Sequence, residues 1–418
     1  VIQAIRGTRD LFGEELQWHR TIEATTRDVL EAAGAIEIQT PIFEDAAVFE
    51  KGVGATTDIV QHEMYTFTDR GGRRLVLRPE GTAGVMRAFL EHGMQVWPLP
   101  VKLYYLGPMF RAERPQKGRQ RQFHQAGFES IGLEAPLADA EAIALLVDIL
   151  KALGLSRFEL KLSSLGDPED RIRYNDYLRQ ALAPYANELS DDSRNRLQRN
   201  PMRILDSKAE ADQAVLQKAG IRPILEFLGP EARAHFEAVQ AHLNQLGIDY
   251  VVAPHLVRGL DYYRRTAFEV HHEGLGAQSA LGGGGRYDGL TELLGGPSVP
   301  GIGWAIGIER LVLALKAEGR RPRTRERRAI YFVPLDEAAV GEALVLAQSL
   351  RPRIRAEFAY VPRRPAKGIK EAEKRGARWA CFLGEAERAR GTVTVKDLVT
   401  GEQHELARDA LGQWVEGL

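Results

Sequence analysis

Cysteine is nearly absent: Cys381 is the only one in 418 residues. An internal disulfide framework and a multi-cysteine zinc or iron–sulfur site are therefore excluded, and a cytoplasmic location is expected. Long apolar runs are absent as well. No stretch approaches the roughly 20 apolar residues of a membrane-spanning helix, and residues 1–12 hold two arginines and an aspartate where an export signal would have an apolar core. No membrane partner is expected. Nor does charge of one sign dominate, since 56 basic residues face 57 acidic ones; binding of nucleic acid would have to come from local basic clusters. The dipeptide Gly-Lys does not occur, which excludes a P-loop and leaves arginine as the means of holding phosphate. With 44% hydrophobic and 27% charged residues, a disordered chain is ruled out, and the length suggests two or three domains of about 100–200 residues each.

Apolar residues at helical spacing (Trp18, Ile22, Val29, Ala33) predict a helix over residues 10–34, with Gly34 placed to stop it. The runs at 75–78 and 101–106 predict strands, and Ile143, Leu146, Leu150 and Leu153 predict a helix over 139–153. A polar, arginine-rich stretch at 168–229 reads as an inserted helical subdomain. Strands are expected again at 250–252 and 266–270, then a glycine-dense region (274–307) and a helix over 308–318. Residues 319–328 contain six arginines and one proline, the composition of an interdomain linker. Beyond it, apolar strands at 329–335, 356–361 and 379–384 alternate with helical stretches, the first opening on Asp336 as N-cap, which gives a small α/β domain.

The segment 107–132 is the most informative. Two arms joined by a long connection make a hairpin whose loop is functional. Period-two alternation puts Phe123, Gln125, Gly127, Glu129 and Ile131 on one face of the second arm. An amide and a carboxylate with glycine between them suit a ligand floor better than a core face. The connection, Arg111 to Arg121, carries five basic residues and one acid in eleven positions, fit to clamp a triphosphate or track a nucleic-acid backbone. On charge alone a solvated loop would be the better reading. Leu256-Val257-Arg258-Gly259-Leu260-Asp261-Tyr262-Tyr263 concentrates an arginine, an acid and two hydroxyls. The run Gly282 to Gly285 before Arg286-Tyr287 lets backbone approach a ligand closely. Gly307-Ile308-Glu309-Arg310 puts Arg310 in the first turn of a helix, where an anion also feels the helix dipole. No metal site is expected: His271, His272 and Glu273 are adjacent, so the two imidazoles of a strand point to opposite faces, and they read as exposed strand residues.

These residues resemble a named family. Phe110-Arg111-Ala112-Glu113-Arg114 with Arg121-Gln122-Phe123-His124-Gln125, and Gly307-Ile308-Glu309-Arg310-Leu311, are similar to the second and third signature motifs of class II aminoacyl-tRNA synthetases, and residues 37–44 around Pro41 to the first, a dimer-interface motif. The segments 256–263 and 280–287 resemble the two motifs peculiar to the histidyl-tRNA synthetases. The resemblance implies an α+β catalytic domain (1–322) with a six-stranded antiparallel sheet flanked by helices, a helical insertion (about 168–229), and a C-terminal α/β anticodon-binding domain (329–418). It implies a homodimer that activates L-histidine with ATP and Mg²⁺ and transfers it to histidine tRNA. By that resemblance Arg258, Arg111 and Arg310 stabilise phosphoryl charge. Glu80, Gly81, Thr82 and Gln125 hold the histidine amino group, Glu129 and Tyr263 the imidazole, and Tyr262 and Tyr287 complete the wall. ATP would meet Arg111, Glu113, Arg119, Phe123 and Arg310. The acceptor end of the tRNA would meet Gln116, Lys117 and Arg119.

Two rivals remain open on sequence. One is the synthetase-like regulatory subunit of histidine biosynthesis, which binds histidine without charging tRNA. As the resemblance describes it, that subunit lacks the complete histidine motifs and the C-terminal domain, whereas both are present here. The other is a hydrolase using paired carboxylates among Glu80, Glu129, Asp261 and Glu269, decided by their separation.

Overall fold

The computed structural model describes residues 1–54, 57–116, 118–276, 279–323 and 329–417. Lys117 and residues 324–328 of the expected linker lie outside them. The chain forms two compact units, Val1–Arg323 and Thr324–Leu418.

The first unit is built on a large sheet of β1 (Ile36–Glu37), β5 (Val101–Phe110), β6 (Gln122–Ile131), β7 (Phe158–Ser164), β8 (Val251–Val252), β9 (Arg264–His272), β10 (Ala280–Arg286) and β11 (Gly301–Gly307). A smaller sheet holds β2 (Phe43–Asp45), β3 (Tyr65–Thr68) and β4 (Arg74–Leu77). The strand order of the large sheet is β1-β5-β6-β11-β10-β9-β7-β8. This corrects the expectation of a six-stranded antiparallel sheet: the sheet is eight-stranded and mixed. The six long strands pair antiparallel. The extra two are edge strands, each following a long helix and pairing parallel, β1 with β5 and β8 with β7. A two-residue edge strand carries no period that a sequence can reveal.

Alternation along the long strands separates the faces. One face packs Tyr104, Ala126, Phe128, Phe268 and Trp304 under Trp18, Ile22, Ile143, Leu146, Phe236, Val239 and Leu311 of helices Gly13–Ala32, Pro136–Ala152, Pro230–Gln245 and Ile308–Ala317. The Trp304 indole, buried among them, donates to the Ala142 carbonyl at 2.7 Å. The opposite face carries Leu103, Tyr105, Ala267, Tyr262, Tyr263 and Tyr287. Burying one side under helices therefore forces the alternate residues, including Gln125 and Glu129, onto the open side.

Between β7 and helix Pro230–Gln245 every described element is helical: Pro168–Leu182, Ala183–Glu188, Asp191–Arg199, Pro201–Asp206, Glu210–Ala219 and Ile224–Phe227. Its polar centre is Asp212, buried, which accepts from Ser190, Ser193 and Ser207 hydroxyls at 2.6–2.8 Å. Four charge-assisted acceptances, counting the Ser190 amide at 2.8 Å, hold this carboxylate down to about 2 against the opposing effect of burial.

His271 and His272 are not exposed strand residues. His272 is fully buried, bonded to Glu318 at 3.0 Å, while its other ring nitrogen accepts from the Gly274 amide. Partnering both nitrogens makes that burial tolerable.

The second unit is a five-stranded sheet of β12 (Ala329–Pro334), β13 (Arg355–Phe358), β14 (Trp379–Leu383), β15 (Thr392–Asp397) and β16 (Gln403–Ala407), ordered β13-β12-β14-β15-β16. β12 lies parallel to both neighbours, and the last two strands form an antiparallel hairpin. Asp336 does cap its helix, accepting from the Ala339 amide at 2.9 Å.

Candidate active site

The open face of the large sheet bears a cavity of about 400 Å³. β6 supplies its floor. Register sets Glu129 opposite Leu103 on one side and Gly303 on the other, and Gly127 opposite Tyr105. The missing side chain at 303 is required, because a Cβ there would lie 1.8 Å from Glu129 Oε2. Glycine spacing on β11 thus leaves the room that the carboxylate occupies.

Glu80 and Thr82 enter from the start of helix Thr82–Glu91. Glu80 is buried, and its two oxygens accept from the Thr82 and Ala83 amides at 2.7 and 2.9 Å, satisfying N–H groups that the helix cannot bond internally. Burial pushes its carboxyl up; the two amides and Arg111 oppose this. Thr82 Oγ1 donates to Glu129 Oε1 at 2.7 Å. Glu129 is fully buried, and desolvation, assisted by nearby Glu80, moves its carboxyl to about 8. Gly81, at the helix N-cap, faces the Tyr105 ring so closely that a Cβ would stand 2.2 Å from Cζ.

The loop before β9 supplies Arg258, Tyr262 and Tyr263. Arg258 stacks over the Tyr263 ring, 5.4 Å from its centroid, and pairs with Glu269. Burial disfavours its charge, but the adjacent carboxylate outweighs burial and holds its pKa above the usual value. Glu269 in turn meets His271 at 3.0 Å, and His271 bonds the Ser279 hydroxyl at 2.8 Å. Tyr262 and Tyr263 pack edge to face at 4.7 Å, and Tyr262 touches Tyr287 at 6.1 Å.

A cationic end completes the cavity. Arg111 donates to the Pro79 carbonyl at 2.9 Å and lies 5.3 Å from the centre of the Phe123 ring. Glu113 accepts from Arg119 at 3.0 Å, and Arg310 donates to the Ala280 carbonyl. Behind them Glu309 accepts from the His124 amide and ring, and the buried His19 ring meets His124 edge-on at 4.9 Å. These bonds account for both Glu309 oxygens and anchor the helix that begins at Ile308.

Of the residues singled out from sequence, Glu80, Thr82, Arg111, Glu113, Arg119, Phe123, Gln125, Arg258, Tyr262, Tyr263 and Arg310 line this one cavity. Glu129 and Tyr287 are buried and do not themselves line it, although Glu129 is bonded to the lining residue Thr82, and Gln116 sits outside it in the turn that pairs with Arg119. Lys117 is outside the described residues. Sequence reasoning missed Asp206 and Lys208, which the helical segment brings to the cavity, and His271 and Ser279. Nothing local to 206–208 signals this.

The cavity has unmet polar chemistry. Of its lining, Gln125 Oε1, Arg258 Nε and Tyr262 Oη are buried without a hydrogen-bond partner among the described residues, as are Tyr105 Oη, Glu129 Oε2 and Tyr287 Oη, which do not line it. So many unpaired polar atoms in one place indicate a polar ligand. Two of the four carboxylates a hydrolase would pair are already engaged. Glu269 is neutralised by Arg258, and Asp261 is engaged elsewhere, by Arg203 and Asn200.

Residues 7–311 match the family profile described as Histidyl-tRNA synthetase. The chain belongs to that family. Residues 329–418 match the profile Anticodon binding domain. A histidine–tRNA ligase of Thermus thermophilus is 64% identical over 97% of each chain, and one of Deinococcus radiodurans is 52% identical over 99% of each. The solved structure of apo S. aureus histidyl-tRNA synthetase is 38% identical, covers 100% of both chains and superposes with a TM-score of 0.83. A Bacillus halodurans C structure described as an ATP phosphoribosyltransferase regulatory subunit/histidyl-tRNA synthetase shares the fold, at 22% identity over 91% of this chain and 98% of that one, TM-score 0.63.

Proposed function

We propose that this family member is a histidine–tRNA ligase working in two steps. A carboxylate oxygen of L-histidine attacks the α-phosphorus of ATP, the bond to the bridging oxygen breaks, and pyrophosphate leaves. A ribose hydroxyl at the tRNA 3′ end then attacks the histidyl carbonyl, loses its proton, and AMP departs. The ligase relatives, similar over nearly the whole length, favour this reading over the regulatory subunit.

One observation carries the substrate assignment: Gln125 Oε1 and Tyr262 Oη, buried and unpaired among the described residues, share a cavity with Arg111, Arg119 and Arg310. Glu129 Oε2 accepts from an imidazole N–H, and a tyrosine hydroxyl at 263 serves the other ring nitrogen in either direction. Gln125, Glu80 and Thr82 take the amino group. Arg258 faces the carboxylate and α-phosphate; Arg111 and Arg310, with Glu113, Arg119 and Phe123, hold the nucleotide. Mg²⁺ enters with ATP as part of the substrate. No side-chain nucleophile is needed, so the protein supplies positioning and electrostatic stabilisation.

Residues 1–322 would be the catalytic domain and 329–418 the anticodon reader. The homodimer assignment rests on the motif at 37–44 and on an apolar surface there: Ile36, Ile42, Phe43 and Phe67 are exposed, and the Phe43 and Phe67 rings meet at 6.5 Å. Placement in the cytoplasm rests on the single, buried cysteine. No described helix is long and apolar enough to cross a membrane. Histidine-dependent exchange of labelled pyrophosphate into ATP tests the function. Exchange with histidine and not with other amino acids is expected; its absence, with histidine still bound, would return the chain to the regulatory class.

A further inference from the structure

The helical segment between β7 and helix Pro230–Gln245 touches the catalytic loop. The loop runs from Leu256 to Tyr263 and carries Arg258, Tyr262 and Tyr263. Its turn is held by three residues of the insertion. Arg203 donates to the Gly259 carbonyl at 2.8 Å and to Asp261 Oδ1 at 3.3 Å. Asn200 donates to the same Asp261 oxygen at 3.2 Å. Arg171 reaches the Asp261 and Tyr263 carbonyls at 3.3 and 3.1 Å. The other side of Asp261 is closed by residues 53–54: its amide donates to the Val53 carbonyl at 3.2 Å, and a Cβ on Gly54 would stand 2.7 Å from its Oδ2.

We infer that Arg203, seconded by Asn200, is a positioning residue for adenylate formation: through Gly259 and Asp261 it fixes the loop that aims Arg258. Three considerations support this. The contacts fall on Gly259, the residue directly after Arg258, and Gly259 is otherwise free to rotate because it has no side chain. The Arg203 side chain is only 12% exposed and that of Asp261 24%, so the pair is screened less than a surface bridge. The same short segment goes on to place Asp206 and Lys208 on the wall of the cavity. A charge meant for a transition state must be held within about 0.5 Å of its productive place, and a misplacement of about 1 Å costs on the order of 10²-fold in rate.

The inference rests on the ligase reading and deepens it. Its test uses the full-length protein in single-turnover formation of histidyl-adenylate. Arg203→Ala should slow that step by about 10- to 100-fold, with the KM for ATP changed less than about threefold, and Arg203→Lys should recover part of the rate. Lys218→Ala, which breaks the ion pair with Glu188 elsewhere in the insertion, should match the unsubstituted protein. The deciding comparison is a double-substitution cycle. If Arg203 acts through Arg258, Arg203→Ala should add less than about twofold once Arg258 is alanine. Full multiplication of the two losses, or an Arg203→Ala rate within twofold of normal, would overturn the inference. If the unsubstituted protein formed no adenylate at all, the ligase reading itself would fall.

Discussion

The hydroxyl of Thr82 and the carboxylate of Glu129 meet at 2.7 Å across 47 residues of sequence. This bond ties the first turn of helix Thr82–Glu91 to the middle of the sheet. It occupies one Glu129 oxygen and leaves Oε2 without a partner among the described residues. Glu129→Ala should lower the rate of histidine activation by about 10²-fold or more, because a site built to bond a polar group loses far more than dispersion when the partner goes. Pyrophosphate exchange at saturating ATP measures it; normal activation by the variant would move imidazole recognition elsewhere.

The same carboxyl gives a pH signature. Its value in the folded protein is about 8 against an ordinary 4.5. Between these limits the folded chain keeps a proton that the unfolded chain releases, so stability without ligand falls as pH rises through the window and the loss is complete above about 8. Urea denaturation of the protein and of Glu129→Gln should give a difference that changes with pH over this range, in favour of the glutamine at the alkaline end. A constant difference would refute the assigned shift.

Arg258→Ala should slow adenylate formation by about 10²-fold, in the range lost when one donor to a developing oxyanion is removed, while ATP affinity changes little. Arg111 and Arg310 would still hold the nucleotide. Single-turnover kinetics set against equilibrium ATP binding separates the two; an equal loss in both would make Arg258 a ground-state contact.

A chain ending at Arg323, the last residue of the first compact unit, should keep histidine-dependent pyrophosphate exchange and charge tRNA at least about tenfold less well. Loss of both activities in a folded product would make the tail part of the catalytic unit.

Gln116 and Arg119 face each other in the hairpin turn, paired through backbone bonds at 3.1 and 2.9 Å, yet only Arg119 lines the cavity. Gln116→Ala should therefore reduce transfer to tRNA with exchange intact, whereas Arg119→Ala should affect both steps. Equal effects on exchange would assign the whole loop to the nucleotide.

Sequence makes legible whatever repeats with a short period or acts locally. Alternation on residues 122–131 places Gln125 and Glu129 on one face, and Asp336 announces its helix three residues ahead of Ala339. The hairpin Thr392–Ala407 is missed, although Val393 and Val395 alternate with threonines before the turn at Gly401. Longer-range relationships stay hidden. Asn200 and Arg203 lie 61 and 58 residues from Asp261, and no pattern within either segment names the other. His272 reads as a surface residue because its partner Glu318 stands 46 positions away.

The Tyr105 ring sits between Gly81 and Gly127, where added Cβ atoms would stand 2.2 and 2.1 Å from its Cζ. These three positions consequently form a single unit of heredity: an alanine at either glycine can be accepted only in a lineage that has already shortened residue 105. A library that seeks to admit a bulkier amino acid by randomising either glycine alone will return only inactive clones. One that changes residue 105 first opens routes closed to all the others.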